Sequence, residues 1–111
     1  MRKISQNAAT AFINFRNYSN ANTTVVTEIM YGKRTARLFL HGNEIACLTI
    51  GEPGRPNVLH VTTAGWASRT TCERLNALPG VQIRTIKGVL MLNGRPWNGY
   101  WINMNDVVQN G

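Results

Sequence analysis

The stretch Thr23–Ile50, TTVVTEIMYGKRTARLFLHGNEIACLTI, decides the fold class. Side chains alternate between faces along a strand, so a period of two separates an inner from an outer side. Val25, Thr27, Ile29 and Tyr31 share one face of a first run, Thr23–Tyr31. Ala36, Leu38 and Leu40 share one side of a second run, Thr35–Leu40, with Arg37 and Phe39 on the other. Gly32-Lys33-Arg34 separates these runs, and His41-Gly42-Asn43 leads into a third, Glu44–Ile50. Short period-2 runs joined by glycine-containing turns predict an antiparallel meander.

Upstream, Ile4, Ala8, Ala11, Phe12 and Phe15 recur at helical spacing and form one apolar stripe. Ser5 is the expected N-cap. Asn17-Tyr18-Ser19-Asn20-Ala21-Asn22 ends the helix with turn-forming residues. Downstream, the prolines and glycines of Gly51–Asn57 exclude regular structure. A strand Val58–Thr63 and a second helix Arg69–Leu78 follow, with Thr70 and Glu73 in the pattern of a capping box. Leu75, Leu78 and Cys72 face inward, and Pro79-Gly80 stops the helix. Val81–Ile86 then pairs through Lys87-Gly88 with Val89–Leu92. Asn93-Gly94 is a hairpin signal, and Arg95–Gly99 turns into a last strand Tyr100–Met104. The polar tail 105–111 is expected to fray.

The order is α-β-β-β-β-α-β-β-β. It predicts one α+β domain over residues 1–111, two helices on antiparallel β meanders. Alternating βα units, the mark of a parallel sheet, are absent, and no repeat or linker divides the chain. A chain of 111 residues with 43% apolar residues has material for one core.

Twelve Lys and Arg stand against five Asp and Glu, a net charge of +7, and nine of the twelve are Arg. The planar guanidinium suits phosphates and carboxylates, and a field of this sign concentrates anionic partners. The expected partner is nucleic acid or an acidic protein. No apolar run approaches the roughly 18–20 residues of a membrane span. The first residues lack the apolar core of a secretory signal. Cys47 and Cys72 show no CxxC spacing, and free thiols in a reducing, cytosolic setting are expected.

Catalytic chemistry finds little support. His41, His60, Cys47 and Cys72 lie outside zinc-site spacing, so no metal is expected. No phosphate-cradling loop or dinucleotide fingerprint occurs, so no cofactor is expected. Cys72 sits in the first turn of a helix with no histidine nearby in sequence. Four of the five carboxylates lack a partner pattern, and Glu73 reads as a cap. The expectation is a non-enzymatic protein.

The anionic-ligand reading has more material. Arg34, Arg37, Arg84, Lys87 and Arg95 fall on strands or hairpin tips, and Trp97, Tyr100 and Trp101 lie near Arg95. Aromatic rings beside cations can stack bases and hold phosphates, as single-strand binders do. The expected nucleic-acid contacts are Arg34, Arg37, Arg84, Lys87, Arg95, Trp97 and Trp101. Arg69 and Thr70 at the helix start form a second expected anion site. The competing reading of the same residues is packing of the indoles and capping by Ser68 or Thr70.

Met1–Ala8, Leu40–Ala46, Thr63–Thr71 running into Arg74–Val81, and Leu92–Gly99 resemble a family of small accessory proteins of tailed bacteriophages. The resemblance covers most of residues 1–103; the loop Glu52–Asn57 and the tail beyond Asn103 depart from it. It implies action in the host bacterial cytoplasm. In that context the charge of +7 together with the aromatics beside it makes single-stranded nucleic acid the first expected ligand. The alternative it implies is an anti-defence or host-takeover inhibitor that docks on an acidic bacterial protein complex or sequesters a nucleotide signal. Free sheet edges also allow a homodimer.

Overall fold

The computed structural model describes residues 2–107. Its elements are α1 (Lys3–Ile13), β1 (Tyr18–Asn20), β2 (Thr23–Met30), β3 (Lys33–Leu40), β4 (Asn43–Thr49), β5 (Val58–Val61), α2 (Arg69–Asn76), β6 (Ile83–Ile86), β7 (Val89–Leu92), β8 (Arg95–Pro96), β9 (Ile102–Asn103) and a 3-10 turn, Met104–Asp106. The strands form a six-stranded sheet in the order β1-β2-β3-β4-β5-β9 and a three-stranded sheet β6-β7-β8, with every pair antiparallel. The α+β meander predicted from sequence is present.

The turns set the register. Tyr31-Gly32 and His41-Gly42 each place two successive residues at positive φ, 54° and 78°, then 51° and 79°. This is type I′ geometry, whose twist matches that of paired strands. The first reversal therefore lies at Tyr31-Gly32 rather than Gly32-Lys33-Arg34, and Lys33 and Arg34 belong to β3. Between β3 and β4 the register slips after Leu38, so Ile45 is an extra residue and both Ile45 and Ala46 turn into the core.

Val25, Ala36, Leu38, Ala46 and Val61 line the inner face of the large sheet, each almost wholly buried. The alanines of α1 let Phe12 and the helix backbone approach β1, β2, β3 and α2 closely. Leu75 and Leu78 carry the core across to Val81, Ile83 and Leu92 at the small sheet. At such a site Phe12→Ala costs about 3–5 kcal/mol.

Several sequence expectations are corrected. Phe15 lies beyond α1: its amide bonds Phe12 O and the Arg16 amide bonds Ala11 O, a Schellman end with Phe15 at φ 54°. Tyr18–Asn20, read as turn, pairs with Thr23–Val25 because Ala21-Asn22 alone suffices to reverse the chain. Ile29 and Tyr31 run past the core into solvent. Ser5 does not cap α1; it is buried between α1 and α2. Ser68, with φ −70° and ψ 163°, is the last extended residue before α2, and its hydroxyl caps the Thr71 amide at 3.1 Å. Glu73 is thereby released from the expected capping box with Thr70. The final strand leaves the meander of β6–β8 and pairs with β5 through Val61↔Ile102. Asn105 and Asp106 are in the 3-10 turn and Val107 packs on the core instead of fraying; the rest of the tail, 108–111, lies outside the described residues.

One buried charge ties the layers together. Arg74 is 2% exposed. Its Nε donates to Thr23 Oγ1 at 2.9 Å, and its Nη1 to Ser5 Oγ at 2.7 Å and Glu73 Oε1 at 3.1 Å. Arg2 and Ser5 donate to the same Glu73 oxygen at 2.9 and 2.7 Å. A buried cation held this way is costly to unpair from one side.

Candidate nucleic-acid interface around the second helix

The cations have two different fates. Arg37 stands on the outward face of β3, and its Nε and Nη1 donate to Glu28 and Glu44 at 2.6 Å each. These hydrogen bonds hold its pKa above the ordinary value, and the two carboxylates offset its charge. Arg37 is therefore not a free phosphate contact. Arg34 lies over the Phe15 ring, 5.0 Å from its centroid. Lys33 pairs with Glu52 at 2.7 Å. With Glu73 held by Arg2 and Arg74, all four glutamates are engaged.

Arg69 and Arg84 form no ion pair among the described residues. They come from two elements, α2 and β6, that meet along one open groove of about 650 Å³. Cys72, Glu73, Asn76 and Thr85 complete its walls. Asn76 fixes the floor: its amide nitrogen donates to Ile83 O at 3.0 Å, and its Oδ1 accepts from Ile83 N at 2.6 Å. This clasp substitutes for a neighbouring strand at the edge of β6. Lys87 sits at the adjoining β6–β7 tip, exposed. Burial pushes the Cys72 thiol above its ordinary pKa, which keeps it protonated at neutral pH.

Thr70 points to another side of α2, about 100° around the helix from Arg69. There a second cleft, about 310 Å³, opens between the His41-Gly42 tip and the start of the helix. Thr70 lines this cleft, whereas Arg69 lines the groove. Arg95 lies on the small sheet beside Trp97 and Asp106. Trp97 is half-buried against the core, and its indole nitrogen donates to Tyr100 O at 3.1 Å; it is a packing residue, not an open stacking platform. Trp101 remains 49% exposed.

Sequence reasoning missed Trp66 and the platform that presents it. Ala64 and Gly65 adopt φ 56° and 83°, and the Trp66 amide closes the turn on Thr63 O at 3.0 Å. The Thr63 amide donates to Gly99 O at 2.9 Å and the Thr62 hydroxyl at 2.7 Å. These bonds tie the Trp66 turn to the loop that carries Tyr100 and Trp101. Trp66 and Tyr100 are 75% and 72% exposed. A tryptophan in a glycine turn directly ahead of a helix cap, where no core position is expected, was the available signal.

On the outward face of the large sheet, Cys47 pairs in register with His60, and His60 with Asn103. Burial raises the Cys47 thiol despite the opposing effect of Arg37. The two cysteines are free thiols. Among the described residues no group of three His, Cys, Asp or Glu side chains could hold a metal ion, and no helix is long and apolar enough to cross a membrane.

Compared with known families, residues 1–108 match the model described as Kyanoviridae Gp96 protein. No curated protein matches the chain, and no solved structure does.

Proposed function

The chain belongs to the Kyanoviridae Gp96 protein family, a family of bacteriophage proteins, and from that premise we propose that it is a non-enzymatic binder of single-stranded nucleic acid in the host bacterial cytoplasm. The observation that carries the reading is the groove beside α2. Among the described residues Arg69 and Arg84 face it without an ion-pair partner, and the one carboxylate in its walls, Glu73, is held by Arg2 and Arg74. Phosphates would lie along this groove, with Lys87 extending it. Bases would lie over Trp66, Tyr100 and Trp101, on two loops joined at Gly99. Stacking on exposed rings is sequence-tolerant because every base has a π-face, and it contributes about 1–3 kcal/mol per base.

Fluorescence anisotropy with labelled single-stranded DNA and RNA tests the reading. Affinity should fall steeply as salt rises, because each phosphate contact releases counterions. Absence of binding to any oligonucleotide at low salt would remove it.

A second reading, docking on a bacterial protein complex, is favoured by the β2–β3 tip. Tyr31 is 99% exposed at φ 54°, beside an exposed Ile29. Burial does not reward a bulky residue in that strained conformation, and exposed tyrosines are favoured binding anchors. A partner captured from lysate that survives nuclease, and is lost in Tyr31→Ser, would transfer the function to this tip.

A further inference from the structure

We propose that the cleft between the His41-Gly42 and Ala64-Gly65 turns is a pocket for one unpaired nucleobase, stacked on Trp66. The inference rests on the single-strand reading above and assigns the base to a different place from the phosphates. The cleft measures about 310 Å³, and among the described residues no Lys, Arg, Asp or Glu lines it, His41 being its one titratable side chain. That lining is poor for a phosphate and suited to a neutral heteroaromatic ring. Leu40 and Ile45 give it an apolar floor, while Asn43, Thr63 and Thr70 supply amide and hydroxyl groups around it. An apolar recess with a few convergent polar groups is the usual make-up of a small-ligand site, and unpaired bases are read by stacking and by hydrogen bonds to their edges.

Both walls are fixed before any ligand arrives. The His41 amide donates to Asn22 O at 2.8 Å, and the Trp66 turn is tied to Gly99 through Thr62 and Thr63. Both turns place a non-glycine residue and then a glycine at positive φ, His41 at 51° and Ala64 at 56°, the tight geometry that fixes their backbone. Between them stands an indole left three-quarters in solvent. Trp66, Ser68 and Thr70 line the cleft, whereas Ala67, Arg69 and Cys72 line the cationic groove. The start of α2 is thus the ridge between them, and a strand crossing it would place a base on one side and its phosphates on the other.

The test uses nucleoside 5′-monophosphates of all four bases, with ribose 5-phosphate as the base-free probe, added to the isotope-labelled full chain. Nitrogen–proton spectra follow the amides of Asn43, Thr63 and Thr70 and the indole of Trp66. At least one nucleotide should shift these signals with a dissociation constant on the order of 1 mM, and ribose 5-phosphate should leave them in place. Trp66→Ala should weaken the nucleotide about tenfold, and Trp66→Phe should retain most of the affinity, since stacking needs only a ring. Because the indole is exposed, both variants should keep the wild-type melting temperature. Equal shifts from ribose 5-phosphate, shifts confined to Arg69 and Arg84, or none with any nucleotide at about ten times that concentration would overturn the pocket. Oligonucleotide binding that persists while the cleft stays silent sinks the pocket and spares the groove. Nucleotide shifts in the cleft without any oligonucleotide binding do the reverse.

Discussion

Arg37 and Arg84 both project from the outward side of a strand, yet one is spent and the other is available. Arg37 lies where β2 and β4 each present a glutamate, Glu28 and Glu44, within hydrogen-bond reach. Arg84 lies in a groove whose one carboxylate already serves Arg2, Ser5 and Arg74. The net charge of +7 therefore does not describe the surface that an anion meets. What decides is where the few carboxylates fall, because one carboxylate within hydrogen-bond reach cancels most of a guanidinium's attraction for a phosphate.

Reversing the groove charges attacks this contrast hardest. Arg69→Glu with Arg84→Glu should weaken single-stranded DNA roughly a hundredfold at low salt and reduce the salt slope by about 1.4, two phosphate contacts at ~0.7 each. Anisotropy across a salt series measures both, and an unchanged slope would show that phosphates bind elsewhere. Arg37→Gln should do the opposite: oligonucleotide affinity unchanged, but stability lowered by about 1 kcal/mol in urea denaturation, as Glu28 and Glu44 lose their shared partner. A loss of affinity in that variant would mean the sheet face is the interface after all.

Glu73 gives a smaller, pH-dependent effect. The Ser5 hydroxyl, then Arg2, holds its carboxyl below the usual range. A folded-state pKa below the unfolded one means stability that is present above the ordinary value of ~4.3 and is lost as pH falls through the lower folded value. Glu73→Gln should therefore show a flatter decline in melting temperature below about pH 5 than the wild type. An identical decline in both would assign acid sensitivity to another group.

The smallest effect separates the two regions with one reagent. Both thiols are raised by burial and should alkylate slowly at neutral pH. Cys72 lines the groove and Cys47 neighbours Arg37 on the sheet. Saturating oligonucleotide should slow Cys72 labelling about threefold or more, estimated from loss of access to the thiol, and leave Cys47 unchanged, as peptide mass spectrometry can read. Equal slowing of both would dissolve the contrast.

Much of the fold was legible because its signals are local. The alternation in Thr23–Ile50 and the turn-forming glycines specify a meander without reference to the rest of the chain. Some errors were local, as where Tyr18–Asn20 pairs with Thr23–Val25 across a two-residue turn; others fell where partners are distant in sequence. Ser5 looked like a cap, but its hydroxyl is bonded to Glu73 and Arg74. Tyr100–Met104 read as a continuation of the last meander, but Ile102 pairs with Val61 of the other sheet. For the site, Arg69 and Arg84 were both picked out as cations, and nothing in their spacing indicated that they share one groove. Trp97 and Trp66 look alike in sequence, and only packing shows the first half-buried and the second open.

By itself the sequence determined the α+β class, the turn positions to within a residue or two, the basic character and the stock of cations and rings. These follow from side-chain periodicity, turn chemistry and composition, which act over a few neighbours. Tertiary structure alone decided which arginines are paired with carboxylates, which indoles stay in solvent, and that α2 divides a groove lined by Arg69 and Arg84 from a cleft lined by Trp66 and Thr70. Charge pairing and burial depend on separations in space, and a salt bridge such as Arg2–Glu73 joins residues whose closeness no local pattern encodes.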